Sequence, residues 1–423
     1  MKLDFIDSRR AYFHATAHRE VYVQLPPDDE EQGMCGKLEK SMYGTRDATQ
    51  NWEACYTQAH KDMGFTVGKA STCVFWHPEK NVRVVVHGDD FTALGWSTDL
   101  DWYRKGIQDR METQVKGRLG PEKHDDKHIR VLNRIVEWTD MGIRYEADQR
   151  HAEIIAEGIG LKENSKGVVT PGSKLKEEEG DEKALDPDTS TKYRAMVARA
   201  NYLAQDRPDI QFATKELCRA MSKPTEGNWR ALKRLGRYLQ QSPRVVQLFG
   251  RQEAPNNIRV FTDTDFAGCT KTRKSTSGGL ILFGKHMVKS WSTTQKVVSL
   301  SSGEAEYYGM VKGAAQGMGM KALIKDMGTY TGIELSTDSS AAKGMAARKG
   351  LGKVRHIEVC QLWLQEKSQD GTIRIKKVKG TDNPADIVTK HVPNEVLTKH
   401  LPAFGLHREA GRHSIAPKVA KDS

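Results

Sequence analysis

The sequence predicts a mixed α/β protein with several hydrophobic cores along its 423 residues. Short apolar runs rich in β-branched residues, such as 82–86 and 258–261, have the length and composition of strands. Stretches such as 303–327 lack proline and carry apolar residues at helical spacing. A chain of this length suits two or three domains, each large enough to bury its own core.

The N-terminal part predicts a strand and, about 80 residues later, a hairpin. Leu3 and Phe5 alternate with other residues, as in a strand, and Asp7 falls near the end of that pattern. The valine-rich run is followed by a turn that contains Asp89 and Asp90, after which an apolar run returns. Paired carboxylates repel each other unless a cation lies between them, so these aspartates predict a metal site.

The middle of the chain carries charge patterns without a catalytic motif. Residues 174–191 are rich in Asp, Glu and Lys and have almost no large apolar side chains, which is typical of a solvated linker. The apolar spacing that follows is helical. One of these helices carries Lys233, Arg234 and Arg237, which form either an ordinary solvated face or a track for a nucleic-acid backbone.

Four acidic residues in the C-terminal half lie where local patterns begin or end. Asp263 and Asp338 fall near the ends of predicted strands. Glu306 lies in the first turns of a predicted helix, and Asp386 follows a turn at the start of a last helix. The four are separated by 43, 32 and 48 residues, so only a fold that brings strands and helices to one point can unite them. Such convergence builds two-metal phosphodiester chemistry.

Three glycines in the predicted helix 303–327 indicate how that helix packs. Gly309, Gly313 and Gly317 are spaced four apart and therefore share one face. Each glycine costs a helix about 1 kcal/mol relative to alanine, so three on one face favour close approach to a sheet. Glu306 is then expected to point towards that sheet.

Mg²⁺ or Mn²⁺ is the cation that the four carboxylates predict, because hard cations prefer oxygen ligands and retain water for chemistry. In that chemistry one ion activates the attacking water and a second stabilises the leaving 3′-oxygen, with the ions roughly 3.5 to 4 Å apart. Taken singly, each acidic residue is better explained as a solvated surface charge, as for Asp265 and Glu304.

Composition restricts the class of partner and the compartment. The net charge of +11, from 66 Lys and Arg against 55 Asp and Glu, and the pI of about 9.2 fit a polyanionic substrate. The six cysteines contain no Cys-x-x-Cys pair, so neither a zinc site nor a disulfide framework is predicted. No apolar run approaches ~18 residues and no signal-peptide core is present at the N-terminus. We therefore expect reduced thiols in an intracellular protein, cytoplasmic or nuclear, without membrane contact.

Five stretches in the C-terminal half carry a resemblance to a known family. In chain order they are FTDTDFAGCTKTRKSTSGG, KSWSTTQKVVSLSSGEAEYYGM, STDSSAA, VRHIEV and NPADIVTK. Together they resemble the ribonuclease H domain of Ty1/copia-type retrotransposon polyproteins. The resemblance implies that the metal-binding, catalytic carboxylates are Asp263, Glu306, Asp338 and Asp386. It leaves His356, within VRHIEV, either as a contact to a substrate phosphate or as a packing residue at a strand start.

The N-terminal segments resemble the palm of the same elements' reverse transcriptase. The stretches DSRRAYF, KSMYG with a later tryptophan, and HGDD match three palm motifs in order. The resemblance implies that Asp7, Asp89 and Asp90 are the metal-binding polymerase carboxylates. It also implies that Tyr12 excludes a nucleotide 2′-hydroxyl, whereas the alternative for Tyr12 is core packing.

Weak or absent polymerase activity is expected from this chain. In the family, basic residues of the fingers hold the incoming triphosphate, and only six residues precede Asp7 here. Charge neutralisation of the triphosphate is central to nucleotidyl transfer. His87 also replaces a tyrosine that lies beside the primer end in the family. We interpret the chain as the C-terminal portion of a Pol polyprotein.

Six segments are predicted, in chain order: a partial reverse-transcriptase palm (1–110), a thumb-like or connecting region (111–173), a charged linker (174–191), a helical connection (192–254), a ribonuclease H-like mixed sheet flanked by helices (255–395) and a polar, disordered tail (396–423). The predicted function is metal-dependent hydrolysis of the RNA strand of RNA/DNA hybrids. The expected partners are the hybrid, a template-primer and upstream Pol segments or other proteins of the element. Two alternatives stay open: a catalytically silent, co-opted nucleic-acid-binding protein, and a general nuclease that acts on DNA.

Overall fold

Two compact units make up the chain, and each combines helices with sheets, which confirms the predicted mixed fold class. The computed structural model describes residues 1–162, 164–174, 179–352 and 354–419. The first unit comprises residues 1–127 and 322–330, and the second comprises 128–321 and the residues from 331 onward. Among the described residues, none of the helices has the length and apolar character needed to cross a bilayer.

The first unit is built on a six-stranded antiparallel sheet against which two helices pack. Its elements in chain order are β1 (Lys2–Ser8), β2 (Tyr22–Val23), β3 (Gly36–Lys37), α1 (Ala48–Asp62), β4 (Thr66–Val67), β5 (Val74–His77), β6 (Val82–His87), β7 (Asp90–Gly95), α2 (Ser97–Gln108) and β8 (Thr113–Leu119). The sheet order is β4-β5-β6-β7-β1-β8, while β2 and β3 pair separately. Trp52, Phe91 and Tyr103 are buried between the sheet and the helices. The predicted N-terminal strand and hairpin are confirmed as β1, β6 and β7.

Strand β8 extends this sheet past the boundary predicted at residue 110. It pairs with β1 so that Asp7 lies opposite Gln114 and Ser8 opposite Thr113. Only Leu119, at its end, is fully buried, so the apolar alternation that marks a strand is weak here. The palm-like sheet therefore includes residues that the sequence assigned to the thumb-like region.

Within the described residues, the second unit contains two five-stranded sheets and eight α-helices, although residues 322–326 at the end of the longest of these helices belong to the first unit. Its elements in chain order are β9 (His128–Val131), β10 (Arg134–Thr139), β11 (Gly142–Glu146), α3 (Arg150–Gly158), α4 (Pro187–Leu203), α5 (Pro208–Cys218), α6 (Glu226–Gln241), β12 (Arg244–Gly250), β13 (Asn257–Asp265), β14 (Thr276–Phe283), β15 (His286–Thr294), α7 (Ser302–Asp326), β16 (Gly332–Thr337), α8 (Ser340–Ala347), α9 (Trp363–Gln369), β17 (Ile373–Lys377), α10 (Asn394–His400) and β18 (Leu406–Glu409). The antiparallel sheet has the order β18-β12-β11-β10-β9, and the mixed sheet has the order β15-β14-β13-β16-β17.

The mixed sheet joins an antiparallel meander to two parallel strands. Strands β13, β14 and β15 pair antiparallel, whereas β16 pairs parallel to β13 and β17 pairs parallel to β16. Parallel neighbours need a crossover connection, and the long helix α7 lies between β15 and β16 in the chain. Val260 and Leu335 face each other in the parallel register, and both are buried.

Helix α7 approaches strand β13 as closely as its glycines predict. A Cβ placed on Gly313 would lie 2.3 Å from Thr262 Cγ2, and one on Gly309 would lie 2.5 Å from Thr264 Oγ1. Any side chain at these positions would push the helix off the strand. The glycines therefore hold Glu306, one turn earlier on α7, close to the end of β13.

The predicted charged linker is wrong over its last residues, because α4 begins at Pro187. Asp186 caps that helix by accepting a hydrogen bond from the Thr189 backbone N–H at 2.9 Å. Proline at the first helical position needs no hydrogen-bond partner for its nitrogen and suits the start of a helix. Residues 175–178 of the predicted linker lie outside the described residues.

The predicted disordered tail is wrong over residues 396–409. Helix α10 is followed by a 3-10 turn (Leu401–Phe404) and then by β18, whose Leu406 pairs with Gln247 of β12. Phe404 and Leu406 are buried, so the segment supplies apolar side chains to the core of the second unit. The predicted helical connection contains α5, α6 and all but the first residues of α4, and it ends in a strand, β12, that the helical spacing missed.

Candidate functional site

The mixed sheet brings Asp263 and Asp338 together at one edge. Strands β13 and β16 run parallel, so their carboxyl ends lie on the same side of the sheet. Asp263 lies two residues before the end of β13 and is buried, while Asp338 directly follows β16 and is half-buried. Both strands end as the sequence predicted.

Helix α7 adds Glu306 to this edge. Its start is capped by Ser301, whose hydroxyl oxygen accepts the Glu304 backbone N–H at 3.2 Å. Glu306 Oε1 accepts the backbone N–H of Thr264 at 3.3 Å, but the buried Oε2 finds no hydrogen-bond partner among the described residues. Carboxylate oxygens of Asp263, Glu306 and Asp338 lie within 4.8 Å of one another.

Asp386 joins the three carboxylates through a lysine. Asp386 lies in a 3-10 turn (Pro384–Val388). The prediction that it lies at the start of the last helix is wrong, because α10 begins only at Asn394. Lys390 Nζ lies 2.8 Å from Asp386 Oδ1 and 3.6 Å from Asp263 Oδ2. Among the described residues, the group within 4.8 Å has three members, and Asp386 is not one of them.

Two buried polar residues that sequence reasoning missed attach this turn to β13. The Asn383 amide donates to the Thr262 carbonyl at 2.9 Å, and its side-chain oxygen accepts the Ala385 N–H at 3.2 Å. The Thr389 hydroxyl donates to Asp263 Oδ2. Both residues belong to the NPADIVTK stretch, which was the one signal that could have indicated them.

Burial and mutual repulsion raise the pKa of Glu306, Asp338 and Asp386. Burial raises the pKa of Glu306 to about 9, and the charges of Asp263 and Asp338 add to this effect. Burial also raises the pKa of Asp386 to about 6, with Asp263 adding to the rise and Lys390 opposing it. Burial raises the pKa of Asp265 as well, so that residue is not the freely solvated charge that the sequence predicted. An all-oxygen group with excess negative charge and an unpartnered buried oxygen fits Mg²⁺ or Mn²⁺.

Replacing Glu306 with Gln should change how stability depends on pH in EDTA. The pKa of Glu306 is 4.5 in the unfolded chain and about 9 in the folded protein. The wild-type free energy of unfolding therefore falls as the pH rises between these two values. The Gln variant lacks this loss. We expect its free energy of unfolding to exceed that of the wild type by about 1 to 3 kcal/mol at about pH 8, and the two to be equal at about pH 5. Urea denaturation across this range measures it, and a difference independent of pH would contradict the assignment.

The first unit carries a second carboxylate group. Asp7 of β1 lies opposite Asp90 of β7 in the antiparallel pairing, and Asp89 lies in the turn between β6 and β7. Oxygens of these three residues lie within 4.8 Å of one another. Lys116 Nζ lies 2.8 Å from Asp7 Oδ1 and 2.6 Å from Asp90 Oδ1. The structure therefore brings together the three residues that the palm resemblance implies.

The indole of Trp52 supports the hairpin that carries two of these aspartates. Its Nε1–H donates to the Gly88 carbonyl at 2.8 Å, and Gly88 adopts a φ of 65°, which glycine tolerates best. Tyr12 lies with its hydroxyl 3.2 Å from Thr49 Oγ1 and its ring centroid 4.5 Å from that of Tyr43. Tyr12 also packs partly against the core, so its role towards a nucleotide stays a prediction.

The other residues that were predicted to contact substrate mostly contact other protein side chains. His356 Nε2 lies 2.8 Å from Glu304 Oε2, and Glu304 is buried and not the surface charge that was predicted. On α6, Arg234 donates to Thr170 Oγ1 at 2.8 Å and Lys233 Nζ lies 5.7 Å from the Trp229 ring centroid. Arg237 is exposed. The nucleic-acid track on α6 and the phosphate contact of His356 stay predictions.

Each of the six cysteines is a free thiol. They are scattered over both units, with two of them exposed and four half-buried. Metal-ligating groups of three or more His, Cys, Asp or Glu within the described residues contain no cysteine. Both carboxylate groups are therefore candidates for cation binding.

Comparisons with known proteins find relatives over most of the chain. The family model "Reverse transcriptase (RNA-dependent DNA polymerase)" matches residues 2–116. The chain is similar to the Pol polyprotein of transposon TNT 1-94 of Nicotiana tabacum, with 26% identity over 425 residues, which cover 96% of this chain and 31% of that protein. It is also similar to the Pol polyprotein of transposon RE2 of Arabidopsis thaliana, with 27% identity over 400 residues, which cover 91% of this chain and 26% of that protein.

A shorter relative and a solved structure match parts of the chain. An uncharacterized mitochondrial protein of Arabidopsis thaliana is 35% identical over 168 residues, which cover 40% of this chain and 68% of that protein. The N-terminal RNase H domain of a Mycobacterium tuberculosis protein, solved as a fusion with maltose binding protein, is 17% identical with a TM-score of 0.24, covering 34% of this chain and 95% of that chain.

The two polyprotein relatives come from transposons, and the family model adds a reverse transcriptase segment to that similarity. It belongs to the family of Ty1/copia-type retrotransposon Pol polyproteins, and residues 2–116 form its reverse transcriptase segment. The chain spans 31% and 26% of the length of the two Pol polyproteins named above.

Proposed function

We propose that the second unit hydrolyses the RNA strand of RNA/DNA hybrids with Mg²⁺ or Mn²⁺. One observation carries this proposal: carboxylates from β13, α7 and the end of β16 converge within 4.8 Å, and the buried Glu306 Oε2 has no partner among the described residues. The resemblance of the surrounding stretches to the family's ribonuclease H domain supports the choice of substrate. The proposed ligands are Asp263, Glu306, Asp338 and Asp386.

The chain's own residues arrange the charge before the substrate arrives. Bound divalent cations would supply an activated water and stabilise the leaving 3′-oxygen. Asp263 is fixed at the end of β13 by the Thr389 hydroxyl, and Glu306 is fixed on the first turns of α7 by the Thr264 backbone N–H. Because these side chains are mostly shielded from water, their charges act more strongly than charges on an open surface. The rigid supports mean that little reorganisation is needed during the reaction.

A comparison of three duplexes tests the proposed substrate. The chain is incubated with an RNA/DNA hybrid, double-stranded RNA and double-stranded DNA, each with Mg²⁺ or Mn²⁺ and with an EDTA control. We expect cleavage of the RNA strand of the hybrid alone. Cleavage of DNA would favour the general nuclease, and binding of all three duplexes without cleavage would favour the catalytically silent nucleic-acid-binding protein.

RNA-directed DNA synthesis is a second candidate activity. The group of Asp7, Asp89 and Asp90 and the family match over residues 2–116 favour it. We propose that this site acts on a template-primer together with upstream Pol segments, which would supply the contacts to the incoming triphosphate. Primer extension on an RNA template, with and without those segments added, tests this arrangement. Robust synthesis by the chain alone would contradict it.

A further inference from the structure

Lys390 places a positive charge directly against the carboxylate group of the second unit. Its Nζ lies 2.8 Å from Asp386 Oδ1 and 3.6 Å from Asp263 Oδ2. The two acidic side chains are only 17% and 5% exposed, whereas the lysine side chain is 38% exposed. The ammonium group therefore covers carboxylates that water barely reaches, while its own stem stays open to solvent.

This arrangement differs from an ordinary ion pair on a protein surface. Surface pairs contribute little because water screens both partners. Here Lys390 faces Asp263 and Asp386, which repel each other and are both repelled by Asp338, and its ammonium bridges the two. Removing the ammonium would leave that repulsion uncompensated.

The same contacts conflict with a divalent cation. A cation that is bound by oxygens of Asp263 and Asp386 would lie where the ammonium now approaches those oxygens, and like charges at such short distances repel strongly. The lysine stem has four flexible methylene groups, so the ammonium can leave the carboxylates without moving the turn.

We propose that Lys390 is an internal counter-ion, which holds Asp263 and Asp386 together before cations bind and is displaced from Asp263 when they bind. The lysine thereby sets the cation concentration at which the site fills. This proposal rests on the proposed function for its assumption that the four carboxylates bind divalent cations.

An adjoining cavity can receive the displaced ammonium. The cavity has a volume of about 430 Å³, and its lining includes Asp338, Asp386, Lys390 and Lys399. Lys399 is already paired with Asp382 at 3.0 Å and with the Thr381 carbonyl at 2.6 Å. The displaced Lys390 is therefore the lysine with freedom to face an anion, such as a backbone phosphate, in this cavity.

Calcium titration of the full chain tests the competition without requiring catalysis. Lys390→Met removes the charge and keeps most of the stem, whereas Lys390→Arg keeps the charge. Lys367→Met is the matched control, because Lys367 also pairs with two carboxylates, Glu366 at 2.8 Å and Asp370 at 3.2 Å, outside the site. Isothermal titration calorimetry measures the Kd for Ca²⁺. The binding step that the wild type shows and Asp338→Asn lacks is assigned to this site.

We expect Lys390→Met to tighten Ca²⁺ binding by about tenfold, while Lys390→Arg and Lys367→Met stay within about threefold of the wild type. Unchanged or weaker binding by Lys390→Met would overturn the proposal. The absence of Ca²⁺ binding at this site in every variant would also overturn the proposal, because removing the competing ammonium of Lys390 should make Ca²⁺ binding detectable.

Thermal unfolding separates a counter-ion from a merely structural lysine. In EDTA, Lys390→Met should lower the Tm, because the carboxylates lose their positive partner. In saturating Ca²⁺ the Tm difference should shrink or reverse, since the cation takes over the neutralisation. A structural role would lower the Tm equally in both conditions and would overturn the proposal. Failure of hybrid cleavage by the wild type would instead contradict the proposed function, while these binding results would stand.

Discussion

Replacing Asp338 with Asn should lower hydrolysis of the RNA strand by a factor of ~10² or more. The carboxylate of Asp338 lies within 4.8 Å of those of Asp263 and Glu306, so its charge acts on the same cations. Asn has nearly the same shape but lacks the charge, which weakens cation binding and the stabilisation of developing charge together. Single-turnover cleavage of a labelled hybrid measures the loss. Asp263→Asn should have a similar effect, but it also disturbs the bond from Thr389.

Asp370→Asn is the matched control for this prediction. Asp370 is an exposed aspartate beyond the end of α9, and its side chain accepts the Thr372 backbone N–H at 2.8 Å. We expect that variant to cleave the hybrid within about twofold of the wild-type rate, since surface substitutions rarely act at a distance. The Tm of both variants shows whether the fold is intact. Undiminished cleavage by a folded Asp338→Asn protein would remove this residue from the site.

Those parts of the fold that rest on local periodicity could be predicted from the sequence. Strands β1, β6 and β13 have apolar or β-branched runs, and α7 has both helical spacing and a regular glycine face. The glycine spacing even predicted the contact partner, because only a closely packed sheet explains three glycines on one helix face. Strand β8 could not be predicted in this way, since its polar residues receive their burial and pairing from β1.

The predicted ligands illustrate the same limit within the site. Asp263, Glu306 and Asp338 end or begin regular elements, and the family resemblance indicated them as one set. Asn383 and Thr389 lie in an irregular turn, where a single polar residue produces no periodic signal. Their roles depend on which backbone atoms fold against them, so only the three-dimensional arrangement identifies them. The turn that carries Asp386 was for this reason predicted as a helix start.

Replacing Arg207 with Met should lower the free energy of unfolding of the second unit by about 3 to 5 kcal/mol. Arg207 is 1% exposed, and it donates two hydrogen bonds to Asp209, at 2.8 and 2.7 Å. Asp209 is also fully buried, and it accepts a third hydrogen bond from the Tyr238 hydroxyl at 2.8 Å. Methionine fills most of the space but leaves the Asp209 charge without its cation. Urea denaturation measures the loss, and Arg194→Met, at an exposed position on α4, should change stability by about 0.5 kcal/mol or less.

A double variant shows whether the uncompensated charge causes this loss. Arg207→Met with Asp209→Leu removes both charges, so it should recover part of the stability that Arg207→Met loses. Equal stability of the single and double variants would show that lost packing, and not the buried charge, is the cause. Helix α5, which begins beside this pair, packs against the turn that carries Asp386. Because neither Arg207 nor Asp209 belongs to the carboxylate group, a double variant that stays folded should also retain hybrid cleavage, which separates the stability of α5 from the chemistry of the site.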